Sequence, residues 1–453
     1  MIAWAIRHLL WPAMELKGNR IRHYLKEMQQ IQTLPPGQVS SLQRTRLQDL
    51  LRFVVANVPA YREYAGAVLR KVDDDPEEAL RQLPVLTKKR FNARRDDYFA
   101  EGIDRSALIA NRTGGSTGEP TAFYMDRVTV EHYEAARWRG LSWHGIRIGD
   151  PSVMVWGSTI ELTQMQSRKY WLKERWLKNR IMIPAYALKP ERIDEYIRQI
   201  RAFRPHYLYG YASALEVMAE LMLNRGIRLG VPLKAAVSTA ETLHPHQREK
   251  IEAAFGCKAV NEYGARDGGI IAYECPHGNM HISADNAWLE VVDLKTLEPL
   301  PPGEKGLLLV TDLHNRVMPR LRYQLGDVAA LSADTCTCGM GLPLLASIEG
   351  REDDTFVARD GTLIHGHYFN HLMRNLNGFN GFQIIQHSPD RVTVKLVKRG
   401  DLYRPEEEQA FLDGVRRALG EDIELHKEYV DDIPRGPSGK VRYAIREFDL
   451  RQP

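Results

Sequence analysis

NRTGGSTGEP, residues 111–120, places three glycines and three hydroxyl side chains within the six positions Thr113, Gly114, Gly115, Ser116, Thr117 and Gly118. Glycine lets a backbone approach a ligand closely. Successive N–H groups and hydroxyls turned inward form a nest for anionic oxygens. A P-loop would carry a lysine after its last glycine and open a helix. Here Glu119 and Pro120 follow, and the next residues, TAFYMD, read as a strand. The loop is therefore expected to join two strands, and positive charge for a bound phosphate has to come from elsewhere. Alone, such a hexamer is also compatible with a flexible surface turn.

Outward from the loop, the chain reads as an α/β protein. Residues 40–67 are expected to be one long helix, with Leu42, Leu47, Leu50, Leu51 and Val54 at helical spacing, and shorter helices are expected near 76–83 and 87–98. SVMVW (152–156) and KAAVS (234–238) read as buried strands, and ALEVMAELM (214–222) as a helix with Leu215, Met218, Ala219 and Met222 on one face. This alternation implies a layered α/β body. AWLEVVD and GLLLVTD then bring strands and turns between 281 and 331. The last hundred residues look like a separate α+β unit. In it, DRVTVKLVK alternates with Val392, Val394 and Leu396 on one side. PEEEQAFLDGVRRAL is a helix starting at Pro405, with Phe411, Val415 and Leu419 inward. The boundary is expected in EGREDDTF (349–356), giving domains 1–350 and 351–453.

The 453 residues exceed one ordinary core. Apolar and charged fractions of 43% and 26% are those of an ordinary globular protein. With 62 basic against 58 acidic residues, spread along the chain, no nucleic-acid partner is indicated. Four cysteines make no disulfide framework, which fits a reducing, cytoplasmic setting. The opening MIAWAIRHLLWPAMEL is split by Arg7 and His8 and falls short of the roughly 20 apolar residues of a membrane span. It also lacks the layout of a signal peptide. A helix packed on the body is expected, with peripheral membrane contact as the alternative.

Three more stretches carry chemistry. In EYGARDGG (262–269), Tyr263 can stack on a ring and Asp267 can hold a hard cation. In RYQLGD (322–327), Asp327, at a strand entrance, can accept from both hydroxyls of a ribose. In PRGPSGKVR (434–442), Lys440 on a mobile loop can stabilise charge developing on a phosphoryl group. Each alone is an ordinary turn or surface residue. Their order, with GREDD near the boundary, resembles the adenylate-forming superfamily of acyl-CoA synthetases, adenylation domains and luciferases. The resemblance spans nearly the whole chain and is strongest to phenylacetate-CoA ligase, particularly its capsular-polysaccharide-biosynthesis branch.

The resemblance implies a large layered N-terminal adenylate-forming domain and a small mobile α+β C-terminal lid. It implies ATP phosphates on Thr113–Gly118, with the charge supplied by Mg²⁺ and Lys440. It sets Tyr263, between Glu262 and Gly264, against the adenine, and Ser238, Thr239, Ala240 and Glu241 along that pocket. By the same resemblance Asp267 would stand for the metal-binding glutamate, Asp327 would hold the ribose with Arg351 near it, and Asp353 would be the hinge. The chain departs from the pattern at Arg266 and Asp267, at Gln324 and Leu325 where Arg-Thr is usual, and at Gly436 in the lysine motif.

The implied reaction converts a carboxylic acid to an acyl-adenylate and then transfers the acyl group, by default to coenzyme A. An amine or sugar acceptor, or a non-catalytic assembly role in a polysaccharide pathway, are the alternatives. Trp156 and Tyr211 suggest an aromatic acyl pocket. A second copy of the chain, as a homodimer, is allowed. Separately, Cys275, His281, Cys336 and Cys338 form a Cys₃His set for a structural Zn²⁺, with His277 in reserve. Buried free thiols are the alternative.

Overall fold

The computed structural model describes residues 2–112, 121–156, 167–185, 188, 190–351, 355–374, 376, 378–434 and 442–448. The side chains of 168, 351, 363, 365, 367, 370, 371 and 374 are not described. The loop residues Thr113 to Gly118, Asp353 and Lys440 therefore lie outside the described residues, as does the side chain of Arg351.

Eleven described strands form one mixed sheet, and five of them make its parallel half. Ser152–Trp156 pairs in parallel with Arg180–Pro184 on one side and Tyr207–Tyr211 on the other. Ala235–Thr239 and Ala259–Ala265 continue the parallel run. Gly269–Glu274 then turns back antiparallel, and Met280–Ile282, Leu344–Arg351, Tyr323–Leu331, Gly306–Asp312 and Ala287–Val292 complete the sheet. Branched and small residues such as Val153, Val155, Ala235, Ala236 and Val237 are buried, as strands covered on both faces require. Helices Ile193–Phe203, Ala212–Leu223 and Pro245–Phe255 pack Ile197, Leu215, Met218 and Ile251 into that half.

The helix Arg127–Trp143 starts on Asp126, whose carboxylate accepts from the Thr129 N–H at 2.8 Å. It lies so close to Gly269–Glu274 that a Cβ at Gly140 would overlap the Tyr273 ring. The N-terminal segment packs Ile6 and Trp11 beside this helix, so the expected packed helix is present.

Residues 40–67 are not one helix. Pro36–Asn57 is followed by a tight turn from Pro59 to Tyr64 and a short helix, Ala65–Leu69. Val58 is extended, as the residue before a proline prefers, and Pro59 has no N–H to continue the ladder. The expected helix at 87–98 likewise shortens to Lys88–Ala93 and a separate turn, Arg95–Tyr98. As expected, the glycine-rich loop joins two strands, Ile109–Arg112 and Ala122–Met125, which pair antiparallel.

Residues 379–446 form a separate four-stranded sheet in the order 424–429, 391–398, 379–388, 444–446. The helix Pro405–Leu419 covers it, and Phe411, Val415 and Leu419 meet Val392, Val394 and Leu396 in one core.

Candidate functional site

In the parallel half, chain order reverses between Ser152–Trp156 and Tyr207–Tyr211. Ligands of open α/β sheets bind at the carboxyl ends of strands beside such a switch point. There the Trp156 and Tyr211 rings stack at 4.2 Å, the last residues of their two strands. One strand further, Ser238 is fully buried and its Oγ has no hydrogen-bond partner among the described residues. Thr239 ends that strand, and Ala240 follows in the left-handed region at φ 64°. Non-glycine residues held there cluster at functional sites. Glu241 turns back to accept from the Ser213 N–H at 2.8 Å, satisfying the start of the helix Ala212–Leu223.

The strand Ala259–Ala265 adds Glu262, Tyr263 and Gly264. The Glu262 carboxylate is buried and accepts from the Tyr209 hydroxyl at 2.5 Å and from Thr239 Oγ1 at 3.1 Å. Arg137 Nε lies 3.5 Å from its other oxygen. Burial would lower the Arg137 pKa, but Tyr209, Glu134 and Glu262 outweigh it and hold the guanidinium well above its ordinary value. Burial likewise pushes the Tyr209 phenol well up, with Arg137 opposing and Glu262 adding, so it remains a donor. Arg137 had no motif to announce it. It and Tyr209 stand on other elements and meet Glu262 only in the fold.

Tyr263 and Asp327, far apart in the chain, meet through a 2.7 Å hydrogen bond from the phenol to Asp327 Oδ2. Asp327 does not sit at a strand entrance. It lies inside Tyr323–Leu331, paired with Arg351, within the register shift that this strand makes against Gly306–Asp312 between Gln324 and Val328. Gly326, at φ 89°, supplies the irregularity that no side-chain-bearing residue adopts readily.

Asp267 is buried, and its Oδ2 accepts from the Tyr323 hydroxyl at 2.9 Å. Its backbone carbonyl accepts from Arg320 Nη2 at 2.8 Å. Arg320 is almost wholly buried, and its Nε and Nη1 have no partner among the described residues. It lies over the Phe123 ring at 4.6 Å. Phe123 belongs to the strand that follows the glycine-rich loop. On the loop's other side, Arg266 Nη1 is 3.5 Å from the Arg112 carbonyl oxygen. One described flank of the loop thus meets the 263–267 segment directly, and the other reaches it through Arg320. Sequence reasoning missed Arg320, and a second arginine two residues before Arg322 was its only signal.

The ligand atoms of Cys275, His281, Cys336 and Cys338 lie within 4.8 Å of one another. Cys275 and Cys336 sulfurs are 3.7 Å apart, and Cys338 Sγ is 3.2 Å from His281 Nε2. Sulfurs about 2.3 Å from a tetrahedral zinc would be about 3.8 Å apart, so the set fits. His281 Nδ1 lies 3.1 Å from the Leu342 carbonyl oxygen, and donating its proton there leaves the Nε2 lone pair facing the cluster. Burial raises the Cys275 thiol and takes Cys338 up to about 11. Burial works the same way on Cys336, but N–H donors from Cys338 and Asn279 hold it below its ordinary value. Three thiols so close resist ionising together, and a dication removes that penalty. His277 instead lies 2.9 Å from Thr337 Oγ1, outside the set.

The family model described as the CapK C-terminal domain matches residues 356–447. Protein CapK of Staphylococcus aureus is 26% identical over 439 residues, covering 96% of this chain and 94% of that protein. The phenylacetate-coenzyme A ligase of Thermus thermophilus is 28% identical, covering 73% and 74%. The indoleacetate–lysine synthetase of Pseudomonas savastanoi is 27% identical over 139 residues, covering 29% and 31%. Among solved structures, 2-hydroxyisobutyryl-CoA ligase in its postadenylation state shares the fold with a TM-score of 0.70 at 20% identity, over 93% of this chain and 92% of that one.

Proposed function

We propose, for a chain that stands in the adenylate-forming superfamily as a phenylacetate-CoA ligase-like protein of the CapK branch, that it is an AMP-forming carboxylate ligase. In this reading a carboxylic acid attacks the α-phosphorus of ATP, pyrophosphate leaves, and the acyl-adenylate passes its acyl group to the thiol of coenzyme A.

The observation that carries the reading is convergence. The Tyr263–Asp327 pair lies at the end of Ala259–Ala265, two strands from the switch point of the parallel sheet, and the glycine-rich loop adjoins it directly through Arg112 and indirectly, by way of Arg320, through Phe123. Phosphoryl chemistry of this kind is mainly positioning and electrostatic stabilisation. Asp327, oriented by the Tyr263 phenol, would accept the ribose hydroxyls. Tyr263 would lie against the adenine, with Ser238, Ala240, Glu241, Glu262 and Gly264 along or behind that pocket. The Thr113–Gly118 loop would cradle the phosphates.

Asp267 has carboxylate oxygens suited to Mg²⁺, which would supply charge neutralisation at the phosphates. Lys440 would add the ammonium in the first half-reaction. Residues 351–453 would be the lid that turns about Asp353 and withdraws it before transfer, with Arg351 near the ribose. The stacked Trp156 and Tyr211 would wall the acyl site. Cys275, His281, Cys336 and Cys338 would hold a structural Zn²⁺. With all four positions filled by protein, it would clasp the strands Gly269–Glu274 and Met280–Ile282 to the loop before Leu344–Arg351.

ATP–pyrophosphate exchange with a panel of aryl and fatty acids tests the reading. Exchange with at least one acid is expected, and none with any acid would favour a non-catalytic assembly role. A second reading, transfer to an amine, has one observation in its favour, the partial likeness to a synthetase that joins indoleacetate to lysine. Product analysis with and without coenzyme A separates the two.

A further inference from the structure

The helical segment that runs from Arg168 to Leu172 and on to Leu177 is built inside out for a helix facing water. Its buried charge is Glu174, paired with Arg180 and with Lys178 at 3.0 Å. Its exposed residues include Trp171 (41% exposed), Leu172 (50%), Trp176 (56%) and Leu177 (50%), interleaved with exposed Lys169 and Lys173. Neither lysine makes an ion pair among the described residues.

The N-terminal segment repeats the pattern, with Trp4, Leu9 and Leu16 exposed. The two segments meet at one turn. Arg7 pairs with Asp150 and donates to the Ile148 carbonyl at 2.7 Å, and a Cβ at Gly149 would meet Ile6 at 2.9 Å. From the other side, Asn179 donates to the Gly149 carbonyl at 2.9 Å. Next to this turn opens a cavity of about 290 Å³ whose lining includes Arg7, His8, Arg22 and Arg147. Exposed tryptophan and leucine set among lysines and arginines is the composition of a helix lying in a membrane interface. No helix among the described residues is long and apolar enough to cross a membrane.

We propose that this face docks the protein on a bilayer carrying anionic phospholipids, with Trp171, Leu172, Trp176 and Leu177 at headgroup depth and Lys169 and Lys173 against the lipid phosphates. Charge decides for lipid over a second copy of the chain. A symmetric pairing through this face would set the lysines of two copies against each other, whereas anionic headgroups neutralise them.

The test is flotation of the full chain with vesicles of phosphatidylglycerol and phosphatidylcholine, about three to seven, against phosphatidylcholine alone, at about 0.1 M salt. Recovery with the anionic vesicles and not with the neutral ones is expected. The Lys169→Gln/Lys173→Gln variant should bind roughly twenty-five-fold more weakly, at about fivefold per lysine. Trp171→Ser/Trp176→Ser should bind at least about tenfold more weakly. Both variants should keep the wild-type unfolding midpoint by circular dichroism, since the residues changed are exposed. Absence of flotation, equal recovery on neutral vesicles, or wild-type binding by either variant would overturn the proposal. So would a dimer in sedimentation velocity that the tryptophan substitutions dissociate.

Discussion

His132 is the place to perturb the body of the protein with pH. Its ring stacks on Tyr24 at 3.9 Å and on His314 at 3.5 Å, between the helix Ile21–Ile31 and the residues after Gly306–Asp312. Burial, with the neighbouring imidazole and Arg46 adding to it, lowers His132 from 6.5 to about 3. His314 falls to about 3 as well, by burial and Arg46. In both, the folded state disfavours the proton that the unfolded chain accepts near 6.5. Stability is therefore unaffected above about pH 6.5 and is lost as pH falls from there towards about 3.

Each unit of pH in that window costs about 1.4 kcal/mol per histidine. Between about pH 7 and pH 5 that is about 2 kcal/mol for each ring and at most about 4 for the pair, a large part of an ordinary domain's stability. The assay is urea unfolding at several pH values, comparing wild type with His132→Phe, which keeps an aromatic ring in the stack. The variant should lose about 2 kcal/mol of the acid sensitivity over this range, whatever its stability at neutral pH. An unchanged pH slope in the variant would refute the reasoning, because the proton would then be bound elsewhere.

Lys440→Ala is expected to abolish ATP–pyrophosphate exchange while the far-UV spectrum and melting point stay those of wild type. Wild-type exchange would remove that ammonium from the chemistry. Tyr263→Phe deletes a hydrogen bond to a carboxylate and should raise the KM for ATP about tenfold, about 1.4 kcal/mol, with a smaller change in kcat; an unchanged KM would show that Asp327 needs no such orientation. Cys336→Ser should lower bound zinc, by metal analysis of purified protein, from one per chain to well below one, with a lower melting temperature. Wild-type protein that folds fully without zinc would end the metal assignment.

What the sequence disclosed and what it withheld follow from the range of the interactions. The helix Pro405–Leu419 begins at its proline with Glu406, Glu407 and Glu408 in the first turn, so start, end and inward face were all written locally. The two strands around the glycine-rich loop were legible for the same reason. The Cys₃His set was visible because cysteine is scarce here and three of the four fall in two short turns. The helix expected over 40–67 failed at Val58 and Pro59, where apolar periodicity was given more weight than the proline. Asp327 was placed at a strand entrance because a Gly-Asp pair reads as a turn, and the sheet absorbs that turn as an irregularity inside a strand. Arg137 could not be found at all, and Arg320 had only a neighbouring arginine to mark it, since nothing local marks a residue whose partner arrives from another element.

The same contrast bears on specificity. Under the proposed function, ATP meets parts that are spelled out in short motifs, because phosphates, ribose and adenine present the same groups to any enzyme that uses them. The acid meets a different kind of wall. Trp156 and Tyr211 are brought together only by the parallel pairing of strands on either side of the switch point. Gly210 leaves no room for a side chain there, since a Cβ would come within 2.6 Å of the Val155 carbonyl oxygen. Such a wall is set by packing, where one methylene changes discrimination by only about 1–3 kcal/mol. Exchange of Trp156 or Tyr211 for a smaller apolar residue should therefore shift which acid is activated and leave the affinity for ATP near that of wild type. Loss of ATP binding in such a variant would mean that the stacked rings serve the nucleotide instead.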